Sequence, residues 1–203
     1  EGKFGAQWLG ATWSLAVEEQ FYLVLPLLVR FVSLRWLPGV LASLVVVAPL
    51  ARIALYESST SGGFAGYLLL PTRWDALFLG VLGSIALRNQ IARVWLASHV
   101  RAIRWVWLSS GAFLAVLLLL GQGIGSKGMT YGGHTVLACL ALSTILLGVL
   151  SPPGYLRSLL RSPWLIWLGS VSYGIYLLHL PVLGLLQAWL LDGIPHPSHA
   201  ARV

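Results

Sequence analysis

Apolar residues run along this chain in long blocks, and the polar positions fall between the blocks. A bilayer crossing needs about 20 mostly apolar residues. Blocks approaching or reaching that length occupy 8–32, 36–56, 67–87, 105–120, 134–150 and 164–191, the third interrupted by Arg73 and Asp75. Tryptophans and tyrosines mark several ends (Trp36, Tyr56, Tyr67, Trp105, Trp107, Trp164, Trp167), where amphipathic rings meet the headgroup layer. The connections are short. Residues 57–63 read ESSTSGG, 121–133 are rich in glycine, and Ser151-Pro152-Pro153-Gly154 breaks helix. No internal repeat or low-complexity linker divides the chain. The pattern predicts an all-α, polytopic transmembrane helical bundle, with about six spans in one membrane domain over 1–203.

Composition strengthens this reading. The chain is 58% hydrophobic and 9% charged, against roughly 25% charged in an ordinary soluble domain. Its net charge of +7 does not point to nucleic acid, because the arginines punctuate apolar runs and form no basic stripe with interleaved aromatics. Cys139 is the single cysteine, so there is no disulfide framework.

Lysine and arginine set the orientation. Arg30 and Arg35 flank the first connection, Arg88, Arg93, Arg101 and Arg104 crowd the third, and Arg157 and Arg161 fall in the fifth. The even connections and the tail hold only Lys127 and Arg202, and Lys3 precedes the first span. Arg52, near the far end of the second span, is the exception. The bias places the odd connections in the cytoplasm and both chain ends outside, in a multi-pass protein of the inner (cytoplasmic) membrane. A chain starting outside, without an initiator methionine or signal peptide, reads as a fragment with spans missing upstream.

Three constellations could carry chemistry. Glu18 and Glu19 sit at the mouth of an apolar run, where a charge costs at least ~2.5–3.5 kcal/mol on insertion scales. Ser14, Glu18 and Tyr22 are spaced by four and share a helix face. They read either as a lined cavity in which Glu18 orients or accepts a proton, or as a satisfied interfacial glutamate. Glu19 points about 100° away and reads as structural. In LGSVSYGIYLLH, Ser172, Tyr176 and His179 share a face, with Tyr173 beside them. Pro181 follows and frees carbonyls in the turn before it. His179 is either a working imidazole or a packed one bonded to a backbone carbonyl. No second histidine lies at metal-ligand spacing, so no metal is expected. In Pro71-Thr72-Arg73-Trp74-Asp75, Arg73 and Asp75 form either an ion pair with each other or a site for an anionic or carbohydrate ligand. Gly80, Gly83 and Ser84 then offer a small face for helix packing.

Together these segments resemble the acyltransferase-3 family of integral membrane O-acyltransferases. TWSLAVEEQFYLVLPLL is similar to its Ser-Leu-x-x-Glu-x-x-x-Tyr signature, here Ser14, Leu15, Glu18 and Tyr22. PTRWDALFLG resembles its Arg-x-Asp-Ala-Leu helix, and LGSVSYGIYLLHLPVL its Ser-Tyr-x-x-Tyr-Leu-x-His helix. The resemblance implies a ten-helix fold of which this chain would hold the fourth to ninth helices, without the first helices, where the family's candidate catalytic histidine lies, and without the last. It implies an enzyme moving an acyl group, acetyl above all, from cytoplasmic acyl-CoA to hydroxyls of an exported glycan or lipid-linked saccharide, with no bound cofactor. Glu18 and His179 are the catalytic candidates; Ser14, Tyr22, Arg73, Asp75, Ser172, Tyr173 and Tyr176 are the substrate-binding ones. By itself this chain would be inactive. Arg88, Arg93, Arg101 and Arg104 could attract the phosphates of acyl-CoA, though the positive-inside bias already accounts for them. The alternative is a proton-coupled secondary transporter using Glu18 and His179 as a relay, against which stands the lack of repeated halves.

Overall fold

A computed structural model describes residues 12–58, 70–123, 125–152 and 154–192. Among them are eight α-helices and no strand: α1 Thr12–Phe31, α2 Leu37–Ser58, α3 Trp74–Arg88, α4 Gln90–Ser98, α5 Val100–Leu119, α6 His134–Leu150, α7 Tyr155–Leu160 and α8 Pro163–Asp192. A 3₁₀ turn, Leu70–Thr72, leads into α3, and a π-helical turn, Met129–Gly133, runs into α6. In a bilayer core only a helix or a closed barrel satisfies every backbone group, and this chain uses helices. The chain forms two compact units, one of 1–15 with 163–203 and the other of 16–162.

In the larger unit, α3 packs against both α2 and α6, and α5 packs on α6. Leu37, Leu41 and Phe78 form one buried cluster, joined by Phe21 and Leu25 of α1 and by Trp74, Val81 and Ile85 of α3. Ile103, Leu146 and Leu147 form another, with Leu96, Trp107 and Leu142 around it. The glycine face of α3 is used at one position. A Cβ on Gly83 would lie 2.5 Å from Leu142 Cδ1, whereas one on Gly80 would meet nothing. Large apolar side chains such as Trp105 and Leu119 point outward at 71% and 87% exposure, as lipid-facing residues do. Within the other unit, α8 carries Pro181 inside a continuous helix.

The helical class holds. Four described helices are long and apolar enough to cross a membrane: Leu37–Ser58, Val100–Leu119, Met129–Leu150 and Pro163–Leu186. α1 has the length, 20 residues, but Glu18, Glu19 and Gln20 dilute its apolar character. The expected third span is cut short, with 15 helical residues in α3. Leu70-Pro71-Thr72 turns immediately before it. The arginine-rich stretch expected as a connection is instead helical. Asn89 Oδ1 accepts from the Ile91 and Ala92 amides at 3.0 and 3.1 Å and starts α4, and α5 begins five residues before the expected span. The glycine-rich stretch before α6 also coils, as the π turn. Its close is tight, because a Cβ on Gly133 would run into the Met129 thioether and Leu117.

Candidate functional site

The chain's buried charges gather where α2, α3 and the π turn meet. Arg52, the exception in the charge pattern, is 2% exposed and Asp75 1%. Their side chains pair at 2.8 Å, Arg52 Nη2 to Asp75 Oδ2. The guanidinium goes further. Nη2 also donates to Thr135 Oγ1 at 2.5 Å, Nη1 to the Thr72 carbonyl at 2.7 Å, and Nε to the Thr130 carbonyl at 3.2 Å. Thr135 Oγ1 donates in turn to Asp75 Oδ2 at 2.6 Å, and Asp75 Oδ1 accepts the Ala76 amide at 2.9 Å. Both carboxylate oxygens and four guanidinium hydrogen bonds are thus accounted for, the condition under which a buried ion pair is tolerated. The arrangement ties the end of α2 to the starts of α3 and α6.

The proposed pairing of Arg73 with Asp75 is therefore corrected: Asp75 pairs with Arg52. Residues two apart on a helix do not face each other, so geometry disfavours the local pair. Arg73 is the half-buried N-cap residue of α3. Next to it, Trp74 Nε1 is buried with no hydrogen-bond partner among the described residues.

A second ion pair joins α2 to the segment before the π turn at the surface. Glu57, at the end of α2, lies 3.6 Å from Lys127 and accepts a hydrogen bond from the Tyr131 hydroxyl. The Lys127 ammonium stands 5.2 Å from the Tyr131 ring centroid. Tyr131 above all, and Glu57 after it, raise the Lys127 pKa above the usual lysine value.

On α1, Glu18, Glu19 and Tyr22 are exposed. Among the described residues Glu18 makes no ion pair. The Ser14 side chain lies outside the described residues. Glu18 belongs to the larger unit and His179 to the other.

On α8, His179 Nδ1 lies 2.5 Å from the Tyr176 carbonyl. A carbonyl only accepts, so Nδ1 carries the proton, and in the neutral ring Nε2 is the acceptor. The carbonyl freed by Pro181 is Leu177's, four residues back, and His179 binds a different one. The Tyr176 and His179 rings lie 5.6 Å apart. Ser172 Oγ donates to the Gly169 carbonyl at 2.8 Å, and Tyr173 is exposed.

A family model described as an acyltransferase domain, that of the acyltransferase-3 family, matches residues 1–200. The O-acetyltransferase OatA of Staphylococcus aureus (strain NCTC 8325 / PS 47) is 28% identical over 199 residues, covering 94% of this chain and 32% of that protein. The same figures hold for OatA of strain COL. The chain thus spans about a third of the length of these curated relatives. No solved structure matches it significantly. With the family model running through α1, α3 and α8, where the three motifs lie, the chain belongs to the acyltransferase-3 family.

Proposed function

We propose that this chain is part of a multi-pass inner-membrane O-acyltransferase. It moves an acyl group, acetyl above all, from cytoplasmic acyl-CoA to a hydroxyl of an exported glycan or lipid-linked saccharide. The observation that carries the reading is the Ser-Leu-x-x-Glu-x-x-x-Tyr stripe of α1, lying inside the family match. Relatives named as O-acetyltransferases support acetyl as the group. In the transfer, the acceptor hydroxyl oxygen attacks the thioester carbonyl, the C–S bond breaks, an ester C–O bond forms, and the hydroxyl proton ends on the departing thiol. Glu18, an exposed carboxylate outside every described ion pair, is suited to orient the base or take that proton. His179, with Nδ1 committed to the Tyr176 carbonyl, offers Nε2 to a hydroxyl. Asp75, bound to Arg52, positions Arg73 at the start of α3, and Arg73 meets an anionic part of a substrate.

The test is transfer of labelled acetyl from acetyl-CoA to envelope glycan by membranes holding the intact protein. Glu18→Gln is expected to keep membrane yield and lower turnover by ~10²-fold or more, the scale of one acid–base group. Wild-type turnover would make Glu18 structural. His179→Gln is expected to lose turnover on the same ~10² scale with normal folding. Lower yield with intact specific activity would remove it from the site. Proton-coupled uptake into vesicles without any transfer would overturn the whole reading in favour of a transporter.

A further inference from the structure

A cavity of about 510 Å³ opens between α5, α6 and the segment leading into α7, wholly inside the larger unit. Trp107 and Leu108 form one wall and Leu147 another, with Ser151, Pro152 and Gly154 turning past them and Leu159 closing the α7 side. Two guanidinium groups line it, Arg104 and Arg157. Among the described residues neither meets a carboxylate. The walls are fixed before any ligand arrives. Trp107 Nε1 donates to Thr144 Oγ1 at 2.9 Å, and Thr144 donates to the Leu140 carbonyl at 2.7 Å. Arg157 is tethered by a 3.3 Å hydrogen bond from Nη1 to the Ser151 carbonyl.

Two cations without counter-charges call for an anion. Beyond them and Ser151, every described lining residue is apolar or glycine. A nucleotide would need several polar edges to meet its base and ribose, and among the described lining residues only Ser151 adds one to the two arginines. An acyl chain needs only apolar wall. Leu108 and Leu159 continue that wall outward at 51% and 45% exposure. Arg104 and Arg157 also belong to the arginine-rich connections that the positive-inside bias places in the cytoplasm, and basic pockets between spans on that side capture lipid headgroups.

We propose that this cavity binds an anionic phospholipid of the inner leaflet, its headgroup phosphate between Arg104 and Arg157 and a chain along Leu108, Leu147 and Leu159. The site stands apart from the acyl-transfer reading and survives its failure. The intact protein, purified from membranes, is to be titrated with phosphatidylglycerol and phosphatidylcholine, and retained lipid counted by native mass spectrometry. Phosphatidylglycerol should be retained preferentially, and Arg104→Gln with Arg157→Gln should weaken that retention about tenfold or more. Arg93→Gln with Arg101→Gln, which removes equal charge from residues not lining the cavity, should leave it unchanged. Leu108→Trp, which fills the cavity and keeps both arginines, should weaken retention of the same lipid and serves if the double arginine variant fails to fold. Equal losses in the two arginine pairs, undiminished retention in Leu108→Trp, or displacement of the lipid by acetyl-CoA would each overturn the proposal.

Discussion

Two ion pairs join α2 to its neighbours, and they lie five residues apart on that helix. Arg52–Asp75 is sealed at 2% and 1% exposure, at 2.8 Å, with the Thr72 carbonyl and the Thr135 hydroxyl also accepting from Arg52. Glu57–Lys127 is open at 56% and 64% exposure, at 3.6 Å. The chemistry is similar, and burial decides what each can do. Water screens the outer pair, which adds little to stability. The inner pair cannot be half removed without stranding a charge in a medium that will not solvate it.

Breaking the inner pair should therefore have the largest effect. Asp75→Asn is expected to destabilise the protein by about 3–5 kcal/mol, read as lower membrane yield and a lower Tm in detergent. Arg52→Leu with Asp75→Leu should recover only part of that loss, because the Thr72 and Thr130 carbonyls lose their donor. Full recovery would show that the ion pair alone mattered. Thr135→Val sharpens the point. It removes a hydroxyl that accepts from Arg52 and donates to Asp75, and should cost about 1–3 kcal/mol. Lys127→Gln should change Tm least, with the difference vanishing in high salt. A loss from Lys127→Gln as large as that from Asp75→Asn would end the contrast.

The same comparison shows what the sequence discloses. Long apolar helices were legible: the block at 134–150 is α6 itself, and that at 36–56 is α2 within two residues. α4 was hidden because Arg93 reads as loop, although Asn89 followed by Ile91, Val94 and Trp95 is an N-cap with i, i+3, i+4 apolar spacing. The π turn was hidden by its glycines, whose role depends on Met129 and Leu117 packing beside Gly133. At the site, the motif residues could be read locally, but the partner of Asp75 could not. Arg52 stands 23 residues away and Thr135 another 60, and such pairings are tertiary facts. The usable signal was the exception itself: an arginine inside an apolar run must find a partner.

The 3₁₀ turn before α3 has a consequence for membrane thickness. At about 1.5 Å per residue, the 22 residues of α2 make a rod roughly 33 Å long, while the 15 of α3 reach about 22 Å. The two lengths differ by about 11 Å, and before α3 the 3₁₀ turn Leu70–Thr72 brings in backbone that is not α-helix. Lipid does not admit such backbone unless protein or water satisfies it. Thr72 is fully buried, and its carbonyl accepts a hydrogen bond from Arg52 at 2.7 Å. One arginine side chain thereby stands in for the amide that a continuing helix would have offered, and lets the chain leave helical geometry at the place where the Arg73-Trp74-Asp75 motif begins.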